Sequence, residues 1–262
     1  MGWMNGLRAA RLRRTSPWQA ALADLPAQLE PYWRASAPRE YEGIPTDAFF
    51  FARAAEGLLR FFDIAARRPC ALPSEAADSV WHAWLRMDSV SLERFCRHHF
   101  GTALPHVERG DMAHGTLLRT FSSSCTQEGM VPGLMRVPAL FSLDADLHMP
   151  GGHGYWNRSG QICYARLNER GRGMWRGRPH PELTLAALVS VGLADPRLLA
   201  LRTREQAATA DGSACGNIGD LAFAGSDGGS GNGDGGCDGG GSDSGSSCGC
   251  SCGSSCGGGG GD

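Results

Sequence analysis

The chain has 262 residues and a formal net charge of −2, from 25 Lys+Arg against 27 Asp+Glu. Residues 211–262 hold 21 of the 38 Gly, 6 of the 10 Cys and 7 Asp, with no Arg and one aromatic, Phe223. That segment has too little apolar surface to offset the entropy of ordering, so a disordered Gly/Ser/Asp/Cys-rich tail is expected over 207–262. The body carries 25 Arg against 20 acidic residues and nearly all the aromatics, enough for one buried core. No run approaches the roughly 18–20 apolar residues of a membrane helix, and no apolar stretch follows Arg8, Arg11, Arg13 and Arg14 as a signal peptide would require. A membrane protein is therefore not expected, and the expected location is the cytoplasm. A near-neutral chain also disfavours general nucleic-acid binding.

In chain order, residues 1–18 read as a basic arm. Gln19 to Trp33 is a first helix, with Leu22, Leu25 and Leu29 on one face and Pro26 and Pro31 against it. Thr46 and Asp47 offer an N-cap for an amphipathic helix to about Arg67. Phe50, Phe51, Ala54, Leu58, Phe61, Phe62 and Ala65 recur there at helical spacing. Ser74 caps the next helix, Glu75 to about His99, with Val80, Trp81, Trp84, Leu85, Leu92, Phe95 and Cys96 inward and Gly101 at its C-terminus. Shorter helices are expected over Asp111 to Phe121, Pro138 to Leu147, Pro181 to Gly192 and Pro196 to Arg204. Tyr155 to Trp175 alternates enough for a two-stranded ribbon turning at Asn168 to Gly171. The fold class is thus mainly α: a single all-α domain over 19–206, a possible small β-ribbon, then the tail.

The stretch Asp78-Ser-Val-Trp-His82, followed by Phe95-Cys96 and Phe100-Gly101, resembles the glycine-rich domain-containing protein-like family, bacterial members in particular. So does Ala139-Leu-Phe-Ser-Leu-Asp144, with Pro150-Gly-Gly after it. The likeness covers about residues 73–151, with the Gly-rich tail as a compositional echo. His106 corresponds to a loop histidine of the family, although here its proline precedes it. The resemblance implies no particular reaction.

Asp78 and His82, at i and i+4, share a helix face, where a carboxylate can accept an imidazole N–H and fix its tautomer. That pair reads first as a satisfied buried histidine and second as a ligand or catalytic pair. On one straight helix His82 and Cys96 lie about 21 Å apart and cannot share an ion. Cys96, His99 and His106 form C-x2-H-x6-H, three of the four ligands zinc takes. His148 and His153 flank Pro150-Gly-Gly behind Asp144 and Asp146, and one of them could reach Asp78 and His82. No G-x-S-x-G elbow exists, and with no Lys a Walker-type loop is excluded. Arg166, Arg170, Arg172, Arg176 and Arg178 read as a solvated basic loop, with single-stranded nucleic acid as the sharper alternative.

The tail spans about 40 Å as a random coil. Cys248, Cys250, Cys252 and Cys256, with Cys237 upstream, can converge on a soft ion such as Zn²⁺ or Cu(I). The same Gly-Cys and Gly-Ser steps resemble substrates of azole-forming modification. Cys70, Cys96, Cys125 and Cys163 read as reduced, buried thiols. Two classes of function stay open. One is a metal-binding or protein-interaction module with a thiol-rich tail. The other is an enzyme using Asp78 and His82, or a substrate for azole-type modification.

Overall fold

The most apolar stretch of the chain becomes the central helix. In the computed structural model, which describes residues 2–107, 113–131, 136–173 and 177–211, this helix is α4, Ala48–Ala65. The Asp47 carboxylate caps it by accepting the N–H groups of Phe49 and Phe50 at 2.9 and 3.2 Å. Phe50, Phe51, Leu58, Leu59, Phe61 and Phe62 are all buried. Apolar residues surround α4 because other helices cover it on every side. They are α1 (Gly2–Thr15), α2 (Gln19–Ala23), α5 (Glu75–Phe100), α6 (Thr116–Gln127) and α7 (Ala139–Asp146). Glu56, buried within α4, accepts from Ser16, Arg53 and Arg60 at 2.8, 2.6 and 3.3 Å, which satisfies its charge.

The N-terminal arm is corrected to a packed helix. Ala9 of α1 is buried and Arg13 pairs with Glu30 at 2.8 Å. The Arg8 guanidinium lies 3.8 Å from the centroid of Phe49. A small-residue inner face leaves no apolar stripe for periodicity to register. The single helix expected over Gln19 to Trp33 is two: α2 ends before Pro26, and α3 runs Leu29–Glu40 with Pro31 tolerated in its first turn. Trp33 of α3 is fully buried and donates its indole N–H to Ser79 of α5 at 3.0 Å.

Helix α5 starts on Ser74, whose hydroxyl accepts the Ala77 N–H at 3.2 Å, and ends on Gly101 in the left-handed region at φ 78°. It is not straight. Asp88 is extended (φ −166°, ψ 91°), and its side chain accepts the Ser91 N–H at 2.9 Å as a second N-cap. Trp81, Trp84 and Phe95 are buried as the pattern predicts, and Leu85 is half-buried. Helix α6 begins at Thr116, after Gly115 in the left-handed region, not at Asp111, which lies outside the described residues.

The ribbon is real and has a third strand. β1 (His153–Arg158) and β2 (Gln161–Arg166) pair antiparallel, and β3 (Arg178–Pro179) pairs with β2. The hairpin turns at Ser159-Gly160, both with positive φ, not at Asn168 to Gly171. The latter residues form a separate turn, in which the Asn168 side chain accepts the N–H groups of Arg170 and Arg172 at 2.9 and 3.0 Å. Two helices follow, α8 (Leu185–Ser190) and α9 (Pro196–Asp211). Among the described residues, no helix is long and apolar enough to cross a membrane.

Residues 212–262 lie outside the described residues. With them go the expectations for Cys237, Cys248, Cys250, Cys252 and Cys256. Trp175 and Arg176 of the basic loop also fall outside.

Candidate metal centre and its cavity

The first turns of α5 present Glu75, Asp78 and His82 at i, i+3 and i+7, one stripe of the helix surface. After the Gly101 cap the chain doubles back and lays His106 on that stripe. The His106 ring meets the edge of Trp81 at 4.6 Å between centroids and that of His82 at 4.7 Å. His106 Nε2 lies 3.1 Å from His82 Nε2 and 3.1 Å from Asp78 Oδ1. His82 Nε2 lies 3.7 Å from Asp78 Oδ2.

Asp78 and His82 therefore share a face as expected, but the carboxylate that holds the His82 ring is a different one. His82 Nδ1 is 2.5 Å from Glu40 Oε1, at the end of α3. Glu40 also binds Arg86. Burial alone would raise the Glu40 carboxyl. The hydrogen bonds and charges of His82 and Arg86 outweigh that and hold it below the usual carboxylate range. An N–H on His82 Nδ1 directed at Glu40 leaves the Nε2 lone pair facing His106 and Asp78.

The set Cys96, His99 and His106 is corrected, because the structure separates it. Cys96 is fully buried; burial pushes its thiol up to about 12 against a weaker hydrogen bond with the Leu104 backbone. It acts as a packing residue that tethers the returning loop. The His99 ring packs tilted against Phe95 at 4.4 Å between centroids, with Nε2 3.1 Å from Asp24 Oδ2. Only His106 joins the Asp78 and His82 group. Cys70, Cys125 and Cys163 are free and buried.

Asp144 locks this face to the sheet. Its buried carboxyl accepts from the Ser74 hydroxyl at 2.6 Å and from the backbone N–H groups of Glu75, Ala76 and His153 at 3.0, 3.0 and 2.9 Å. Burial pushes this carboxyl up, opposed by those four bonds. All four partners donate, so only the carboxylate uses every one of them. A Cβ on Gly152 would lie 2.7 Å from Asp144 Oδ2, so no other residue allows the approach. Asp144 and the second glycine of Pro150-Gly-Gly are thus two halves of one clamp. It fixes His153 opposite Glu75, with Nδ1 3.6 Å from Oε1, and His148 is not among the residues lining the cavity that results.

That cavity, of about 470 Å³, is lined by Asp78, His82 and His106 from α5 and the loop after it, and by His153, Tyr155, Tyr164 and His180 from the sheet and the segment that follows it. Three of the chain's four tyrosines and four of its eight histidines line it, which singles it out from the other concavities. A second cleft of about 1060 Å³ joins it through Tyr41, Glu75 and His153. The Tyr41 hydroxyl is held strongly in its protonated form, by burial first and then by Asp78, Glu40 and Glu75. Glu40, Tyr41, Tyr155, Tyr164, His180 and Glu182 carry no local spacing signal. They meet the triad only through the tertiary fold.

The family model described as UCP032817-like matches residues 48–169.

The chain is similar to that family over just under half its length. The UCP032817-like block runs from α4 through β2 and so contains Asp78, His82, His106, the Asp144–Gly152 clamp and His153. His180, Glu182 and the acid Glu40 fall outside it. No curated protein and no solved structure matches the chain.

Proposed function

We propose that the protein binds a divalent transition metal, zinc fitting best, through Asp78, His82 and His106. The carrying observation is the close approach of the two Nε2 atoms to each other, at 3.1 Å, and to the Asp78 carboxylate, at 3.1 Å from His106 to Oδ1 and 3.7 Å from His82 to Oδ2. Metal–ligand bonds of about 2.1 Å in a tetrahedron place neighbouring ligand atoms about 3.4 Å apart. The ion replaces the one proton that the two facing imidazole nitrogens can share, and its uptake releases that proton. Glu40 on His82 Nδ1 supplies the outer carboxylate that orients a metal-bound imidazole. Three protein ligands leave a fourth position, directed at the cavity, and that openness favours a catalytic ion over a purely structural one. An enzyme using Asp78 and His82 is the second reading, with both residues as ligands. The tail thiols Cys237, Cys248, Cys250, Cys252 and Cys256 add a separate soft-ion store for Zn²⁺ or Cu(I) in a reducing cytoplasm.

Metal content of the full chain, measured with all six tail cysteines changed to serine, tests the reading. One ion per chain is expected, and it is lost in the same chain carrying His106→Ala. Absence of bound zinc after equilibration with it, at a protein concentration in the micromolar range, would refute the assignment.

A further inference from the structure

His180 lines the same cavity as the proposed metal ligands and lies in the chain between β3 and α8. The backbone N–H of Glu182 donates to its Nδ1 at 3.2 Å. A ring nitrogen that accepts a hydrogen bond carries no proton, so the neutral ring bears its single N–H on Nε2. The residue is also held rigidly. Its own N–H donates to the Ile162 carbonyl at 2.9 Å and its carbonyl accepts from Leu183 at 3.2 Å. Its ring stands edge-on to Tyr164 at 4.7 Å between centroids. The Glu182 carboxylate takes the Leu117 N–H at 3.3 Å, at the start of α6. Burial lowers the imidazole pKa, with the Glu182 charge opposing, which favours the neutral form.

The rest of the cavity wall states what such a donor faces. Among the described residues Glu75, Asp78 and Glu182 line it and no arginine does; Arg166 and Arg170 line the adjoining cleft instead, so the wall of this cavity offers an anion no cation beyond the metal itself. Tyr41, Trp81, Tyr155 and Tyr164 provide aromatic surface. We infer that the cavity takes a neutral, flat carbonyl compound of the amide or ester class, its oxygen hydrogen-bonded by the His180 Nε2–H and polarised by the metal, its body against the tyrosines. A fixed neutral imidazole suits this role, since it donates one hydrogen bond with no reorganisation as charge builds on the oxygen. This inference rests on the metal reading above.

The test uses the full chain with the tail cysteines changed to serine, loaded with Co²⁺, whose visible spectrum reports both uptake and ligand approach. Benzohydroxamate, a flat aromatic carbonyl probe, and inorganic phosphate are titrated in turn by calorimetry and absorbance. Benzohydroxamate is expected to bind and shift the cobalt bands. His180→Phe should weaken it about 10-fold, and His180→Gln, which keeps a donor, should restore binding to within about 3-fold. Cobalt stoichiometry and melting temperature should be equal in all three proteins. Equal benzohydroxamate affinity in the wild-type and Phe proteins, or phosphate binding more tightly than benzohydroxamate, overturns the inference while leaving the metal site standing. Failure of the wild-type protein to take up cobalt overturns the metal reading, and this inference with it.

Discussion

Helix α5 carries a His/Asp group at each end, and the two differ in ways that separate a site from a coincidence. Near its start, Asp78, His82 and His106 are all half-buried. Near its end, Asp24 and His98 are exposed and only His99 is half-buried. Both groups keep their ligand atoms within 4.8 Å. Each holds a contact of 3.1 Å, but the first has Glu40 behind His82 and lines a cavity. The second sits at a helix C-terminus, where histidine side chains can serve the last free carbonyls and need no other reason to be present. The right residue types gather easily; an outer carboxylate and an enclosed open side are harder to obtain by chance.

The largest expected effect falls on the clamp behind the first group. Asp144→Ala strands four donors in the interior and should cost about 3–5 kcal/mol in urea unfolding, with metal binding weakened because the first turn of α5, just before Asp78, loses its anchor. Next come the ligands. Asp78→Ala should weaken zinc binding more than about 100-fold in competition with a chromogenic chelator, whereas Asp24→Ala should leave it unchanged. Equal losses from the two would erase the distinction between the ends of α5. Glu40→Gln should give an intermediate loss, about 10–100-fold, because it removes an orienting partner and not a ligand.

Acid sharpens the same contrast. The folded Glu40 carboxyl titrates below its ordinary 4.5. The unfolded chain therefore binds this proton first on acidification, and the stabilisation is present above about pH 4.5 and lost as pH falls through the lower folded value. A melting series should show a steeper acid loss below that pH in the wild type than in Glu40→Gln. The smallest effect is expected at the far end. His99→Gln should change unfolding free energy by no more than about 1 kcal/mol, because its Asp24 partner is exposed to solvent.

What was legible in the sequence follows from how far each interaction reaches along the chain. Helices α4 and α5 declared themselves through 3.6-residue periodicity and through local caps at Asp47, Ser74 and Gly101, all confined to a few residues. The shared face of Asp78 and His82 was equally local. Glu40, 42 residues before His82, had no such signal. His180 was invisible too, since its tautomer is set by a neighbouring backbone N–H but its position depends on strand pairing. The break at Asp88 hid because the side-chain pattern runs through it with little change of phase. Cys96 misled because a buried thiol and a ligand thiol look alike without burial and partners.

The interruption at Asp88 bears on how the ligands come apart. Asp78 and His82 belong to the half of α5 before it, while the loop that returns His106 hangs from the half after it, through Cys96 and Leu104. With the hydrogen-bond ladder broken between them, the halves can open as separate units. A bound ion would join these units into one. Amide exchange in the segment after Asp88 should then slow on metal addition, although no residue within that segment is a ligand. The protection gained there would measure the coupling between a distant helix turn and the ion it never touches.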